Sequence, residues 1–204
     1  MSSAKKTGPV KLAVTLVIIC AAVSLVLGLV NHITEDSIEA SRAARTADAM
    51  AEVFEAEYYE PVEDFRPDGT VKALYRAYSG GVLRGWIAET SPSGFGGVID
   101  MVVGADSEGT VTGVSIVSMS ETSGLGANAR KESFRSQFVG KSGPLALRKK
   151  GGEIDALTGA TVTSTAVTSG VNDALRVIGE YIGREANAGE EPRTSPDAVS
   201  SATD

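Results

Sequence analysis

From Leu12 to Val30 the chain runs for 19 residues without a charged side chain. Coiled as a helix rising about 1.5 Å per residue, this run spans about 28 Å, close to the hydrocarbon thickness of a bilayer. It predicts one spanning helix at residues 12–33. A cleaved leader is the competing reading, but no small-residue cleavage site follows, since Leu29, Val30, Asn31, His32 and Ile33 stand there. An uncleaved anchor is therefore expected. Cys20 has Ile19 before it and apolar residues after it, which reads as a membrane-helix side chain and not as a lipidated cysteine. Lys5, Lys6 and Lys11 precede the run and Glu35, Asp36 and Glu39 follow it. This bias places residues 1–11 in the cytoplasm and the rest of the chain outside the cell membrane. His32, at the boundary, reads as an interfacial polar residue.

The rest of the inventory removes whole classes of chemistry. A net charge of -7 over 204 residues leaves no basic stripe for a nucleic-acid backbone, so no nucleic-acid partner is expected. One cysteine and one histidine cannot build a disulfide, a Cys/His zinc site, an iron–sulfur cluster or a Cys-His pair. No metal site is expected. With the single histidine at the membrane boundary, a Ser-His-Asp triad is also hard to assemble. Chemistry on this scaffold therefore points to a bound cofactor.

Beyond the anchor, residues 34–183 are enough for one domain. Thr34 to about Glu57 reads as an amphipathic helix with Ile38, Ala47, Met50, Ala51 and Phe54 on its apolar face. Val71–Tyr78 and Val82–Glu89 flank Gly80-Gly81 as a hairpin. Val98–Val103 and Val111–Met119 make a second pair across Asp106–Gly109. A glycine-bearing loop at Glu121–Asn128 and a short helical stretch near Lys131–Val139 follow. The last helix is expected over Val162–Gly183, with Val167, Val171, Ala174, Leu175, Ile178 and Ile182 on one face. Antiparallel strands grouped before helices predict an α+β domain. Residues 184–204, rich in Ala, Ser, Glu and Pro, read as a disordered acidic tail.

The stretch Asp155-Ala156-Leu157-Thr158-Gly159-Ala160-Thr161 stands immediately before the last helix. A helix start offers unpaired N–H groups and the positive end of the macrodipole, which suit a phosphoryl group. Gly159 and Ala160 are small enough to let a bulky phosphate and a modifying enzyme approach Thr161. From the residues alone, Thr158, Thr161 and Thr163 fit equally the everyday use of threonine as a helix cap.

The motif Asp-x-x-Thr-Gly-Ala-Thr resembles the flavinylation motif of the FMN-binding domain family. Two further segments resemble that family in its order: Ser93-Gly94-Phe95-Gly96-Gly97, like its glycine-aromatic loop, and Glu121-Thr122-Ser123-Gly124-Leu125-Gly126, like its Glu-Thr-x-Gly-Leu-Gly segment. The short chain and single anchor are most similar to the branch that forms the G subunits of Rnf electron-transport complexes. The C subunits of sodium-pumping NADH:quinone reductases are the near relatives. Ser123 departs from the proline the family commonly has there.

The resemblance implies FMN attached covalently through its phosphate to Thr161, with Asp155, Thr158, Gly159 and Ala160 as the matching recognition positions. It further implies that Phe95, Glu121, Thr122, Leu125 and Gly126 approach the flavin. The implied partners are a flavin transferase, which moves FMN from FAD to the threonine, and the other subunits of an ion-translocating ferredoxin:NAD oxidoreductase in the membrane. Within it the chain would relay electrons without completing a reaction alone. Two other roles fit the same residues: a flavinylated carrier of another pathway, or a non-redox membrane-anchored sensor or scaffold. Trp86, in a strand, reads as core, and Arg130 and Lys131 as a solvated helix start.

Overall fold

The structure, a computed structural model, describes residues 8–188. Lys5, Lys6 and the tail from residue 189 lie outside the described residues, as do the side chains of His32 and Ile38. Two compact units divide between Arg45 and Thr46.

The first unit is helical. Helix α1 runs Pro9–Val53, its part up to Arg45 in the first unit and its last residues, from Thr46, in the second. Its stretch Val10–Asn31 has a mean hydropathy of 2.8 with none of it buried, long and apolar enough to cross a bilayer. Thr15 and Thr34 return their hydroxyls to the carbonyls of Lys11 and Val30, so neither leaves a polar group unmet on the apolar surface. The anchor and the helix expected after it are continuous, with no glycine or proline interrupting Leu29–Glu60, and the helix stops at Val53, short of the expected end near Glu57.

The second unit is a five-stranded antiparallel meander, β1 Tyr58–Pro61, β2 Val71–Ser79, β3 Val82–Thr90, β4 Asp100–Asp106 and β5 Val111–Ser118, in that spatial order. Both expected hairpins form, with β2 paired to β3 and β4 to β5. Strand β1 has no counterpart in the sequence reading. It is four residues long, mostly exposed and without alternation, and it is tied to β2 by Tyr58 stacked on Tyr78 at 5.1 Å.

Strand residues alternate between two buried faces. Trp86, Ala88, Met101, Val103, Val114 and Ile116 face the main core, which is completed by helix α3, Thr161–Ala188, through Val167, Val171, Ala174 and Ile178. This is the apolar stripe the sequence showed, with Trp86 in the core as read, although α3 runs to Ala188 and not Gly183. On the opposite face, Ile87, Val102 and Val117 meet Ala49, Met50 and Val53 at the end of α1. The buried face there is turned from the one expected: Ala47 and Ala51 are exposed, while Phe54 lies just past the helix, half-buried.

Two cross-strand glycines make the seat for that helix end. Gly104 is paired with Gly113, and a β-carbon at either would stand 2.8 or 2.7 Å from Val53 backbone atoms. Thr112 Oγ1 then donates to the Val53 carbonyl at 2.7 Å. Between β5 and α3, the chain makes a 3-10 turn at Gly126–Arg130, helix α2 at Glu132–Arg135 and a 3-10 turn at Ser136–Phe138. These carry Phe134 and Phe138 into the core edge-to-face at 5.6 Å. Arg130 and Arg135 donate to the carbonyls of Ile116 and Val114, so guanidinium groups cover the outer edge of β5.

Candidate functional site

The segment before α3 is shaped by a four-residue turn. Ala160 donates its N–H to the Leu157 carbonyl at 3.0 Å, and Gly159, at the third position, has φ 75°. A glycine there with positive φ is the arrangement of a type II turn. The Ala160 carbonyl accepts the first helical bond, from Ser164 N at 3.0 Å, so Ala160 is the residue that caps α3. None of the three threonines is the cap. Ala160 has no side-chain acceptor, and the N–H groups of Thr161, Val162 and Thr163 have no partner among the described residues.

The hydroxyls of this region are nearly all committed. Ser164 Oγ accepts from Leu157 N and donates to Ala160 O, both at 2.9 Å, which locks the turn to the helix. Thr165 and Thr168 donate to the carbonyls of Thr161 and Ser164 at 2.8 Å. Thr163, 1% exposed, donates to Glu121 Oε2 at 2.8 Å. Thr161 is the first residue of α3, exposed, and its hydroxyl has no partner among the described residues.

Glu121 organises the facing wall. Its Oε1 accepts the N–H groups of Phe95 at 2.7 Å and Gly96 at 3.0 Å, while Oε2 takes the Thr163 hydroxyl. Three glycines shape this wall, two of them at the carboxylate. A β-carbon at Gly94 would run into Oε1, one at Gly96 into the Ser120 carbonyl, and one at Gly126 would stand 2.5 Å from Oε2 and 2.7 Å from Thr163 Oγ1. Beyond Glu121 a second turn repeats the pattern of the first, with Leu125 N bonded to Thr122 O at 3.2 Å and Gly124 at φ 78°. Ser123 fills the second position of that turn. This is the position where proline is favoured in such turns, and the turn closes here with serine.

These walls enclose a groove of about 400 Å³. Thr161, Ala160 and Gly159 form one side, and Phe95, Glu121 and Thr122 stand opposite with Leu125 and Gly126. Residues from three separate sequence segments thus meet at one site. Phe95 projects its ring with 74% of the residue exposed. Val162 and Thr163 also line the groove and escaped the sequence reading. Val162 is 53% exposed at the helix start, a place where an apolar side chain is unsupported by any periodic stripe.

Asp155 and Thr158 are not part of the groove lining. Asp155 makes a two-pronged contact with Arg148, at 2.6 Å to Nε and 3.1 Å to Nη2, and that hydrogen-bonded guanidinium holds its carboxyl below the ordinary aspartate range. Its N–H donates to Gln137 Oε1 at 2.7 Å. Thr158 is exposed at the second position of the turn. Arg130 spends its guanidinium on β5, and Lys131 is exposed at the start of α2. Among the described residues no group of His, Cys, Asp and Glu is placed to hold a metal ion.

Residues 94–176, which take in the turn before α3 and both loops but for Ser93, match the FMN-binding domain family. The chain is 34% identical over 188 residues to the G subunit of the Na+-translocating ferredoxin:NAD+ oxidoreductase complex of Acetobacterium woodii, covering 82% of this chain and 90% of that one. It is also 34% identical over 174 residues to the G subunit of the ion-translocating oxidoreductase complex of Methanosarcina acetivorans, covering 81% and 92%. A solved structure, that of the C subunit of the Na+-translocating NADH-quinone reductase from Parabacteroides distasonis, is similar at a TM-score of 0.49 and 20% identity, over 68% of this chain and 83% of that one.

Proposed function

Since the chain belongs to the family of G subunits of ion-translocating oxidoreductase complexes, we propose that it carries FMN covalently, ester-linked through the phosphate to Thr161. The observation that carries this reading is the state of Thr161: an exposed hydroxyl without a partner among the described residues, at the first position of a helix, on the wall of a groove. Its neighbours Thr163, Ser164, Thr165 and Thr168 have all committed theirs.

The residues present fit the group. Three first-turn N–H groups without partners among the described residues and an alanine cap suit an anionic phosphate, which would take the place a capping side chain usually fills. A groove of about 400 Å³ is within the range of ligand clefts, roughly 300–1,000 Å³. Phe95 offers an exposed aromatic face on the groove. When bound, flavin supplies one- and two-electron redox chemistry. The protein's part is to fix the phosphate at the start of α3 and to hold the 93–97 and 121–126 loops around the cofactor.

Attachment calls for a flavin transferase as partner. The Thr161 oxygen forms a bond to the phosphorus of the FMN half of FAD, the phosphoanhydride bond to the other phosphate breaks, AMP leaves, and the hydroxyl proton passes to the transferase or to water. With Lys5, Lys6 and Lys11 before the apolar run and Glu35, Asp36 and Glu39 after it, the domain lies on the extracytoplasmic side, and electrons pass between other subunits of the membrane complex through it. Asp155 and Thr158, outside the groove, are then surface that the transferase reads and not flavin contacts.

Coexpression of the full chain with a flavin transferase tests this. The tryptic peptide from Gly151 to Arg176 should gain one FMN less one water, and fragmentation should assign it to Thr161. Thr161→Ala should abolish the adduct. An unmodified peptide, or an adduct that persists in Thr161→Ala, overturns the reading.

A further inference from the structure

We propose that Glu121 and Thr163 are a positioning pair, a latch that fastens the aromatic 93–97 loop to the first turn of α3 and thereby holds the flavin, an inference that rests on the reading of the groove as the FMN site. Neither residue is the attachment point. Their part is to fix the two walls relative to one another.

An ionised carboxylate only accepts hydrogen bonds, and Glu121 receives three: two backbone N–H groups from the loop and one hydroxyl from α3. The same side chain therefore touches both walls. Thr163 is 1% exposed, and its hydroxyl is aimed at Oε2. The arrangement is built into the sequence at several points, since side chains at Gly94 and Gly126 would each displace the carboxylate.

The loop has little else to hold it. Its own bonds are Gly94 N to Gly97 O at 2.7 Å and a bridge between Ser93 and Val98. Phe95, 74% exposed, has almost no packing to fix its ring, so the position of that ring depends on its backbone N–H being held. Without the Thr163 hydroxyl, Glu121 loses its tie to α3. The carboxylate can then swing toward water, and both N–H groups of the loop are released with it.

The test uses the full-length chain in detergent, with and without flavin loaded by a flavin transferase. Two readouts are taken: amide hydrogen exchange of a peptide spanning Gly94–Gly97 in the unloaded chain, and fluorescence anisotropy of the attached flavin in the loaded chain. Thr163→Val keeps the shape and removes the hydroxyl. It should exchange about fivefold faster in the loop, as expected for one lost hydrogen bond, and its flavin anisotropy should fall. Thr163→Ser, which keeps the hydroxyl, should restore both to the level of the unsubstituted chain. Glu121→Ala should reproduce Thr163→Val or exceed it, and supplies the measurement should Thr163→Val fail to fold. Unchanged exchange and anisotropy in folded Thr163→Val or Glu121→Ala overturns the latch, as does Thr163→Ser behaving like Thr163→Val. An unsubstituted chain without FMN on the Thr161 peptide overturns the functional reading itself and the flavin-holding role with it. The mass spectrum tells the two failures apart.

Discussion

Leu125 packs against Gly159 so closely that a β-carbon on the glycine would stand 3.1 Å from Leu125 Cδ2. The two residues belong to the two glycine turns that form the lips of the groove, 34 positions apart in sequence and in contact in space. Gly159→Ala would meet two costs: a left-handed φ of 75°, worth roughly 1 kcal/mol or more for an L side chain, and pressure on Leu125. The unloaded chain should lose about 1 kcal/mol in urea unfolding, and the yield of FMN adduct on the Thr161 peptide should drop. Full yield at unchanged stability would show that the turn has no need of glycine.

Ser123→Pro should stabilise the domain. Ser123 occupies the second position of the Thr122–Leu125 turn, its N–H has no partner among the described residues, and proline pre-sets the φ this position requires. A gain of roughly 0.4–1 kcal/mol is expected, seen as a rise of a few degrees in Tm. A lower Tm would mean that the turn is not of the proposed type.

Thr90 is 1% exposed on the core side of β3, and its hydroxyl has no partner among the described residues. It faces Gly170 on α3, where a β-carbon would stand 3.2 Å from Oγ1. Because an unmet buried hydroxyl costs about 1–3 kcal/mol, Thr90→Val should raise stability by about 1 kcal/mol. Calorimetry of the two chains side by side checks the direction.

Acid should weaken the contact between α1 and α2. Burial alone would raise the carboxyl pKa of Glu52, but hydrogen bonds from Ser115 and Arg135, with the charge of Arg135, bring it below the ordinary value of 4.5. A group with a depressed folded-state pKa contributes stability above its unfolded pKa and loses it as pH falls through the folded value. The Glu52 contribution should thus be complete at pH 7 and fade below about pH 4.5. Half of the side chain is exposed, so the effect should stay under about 1 kcal/mol. Comparing urea unfolding at pH 7 and pH 3.5, Glu52→Gln should lose less stability than the unsubstituted chain. An equal loss would place the acid sensitivity elsewhere.

The sequence by itself determined the elements whose patterns are local. An uncharged run of bilayer length makes a helix wherever it lies, and a Gly80-Gly81 turn between alternating residues makes a hairpin. The apolar stripe of α3 follows from the 3.6-residue period. The motif threonine and the two glycine loops were legible as well, because each lies in one short segment that resembles a known pattern. What could not be read was how far these segments act together. Strand β1 carries no period and is fixed by its partner β2 and the Tyr58–Tyr78 stack. Asp155 and Thr158 belong to the motif in sequence yet stand outside the groove, while Thr163 and Val162 line it without belonging to the motif. The choice of Ala160 over three threonines as the helix cap was decided by Ser164 and the Leu157–Ala160 turn. Tertiary structure decides such matters because a hydrogen bond needs two groups at 2.8 Å, and Glu121 and Thr163 are brought to that distance only when the meander, the loops and α3 have packed.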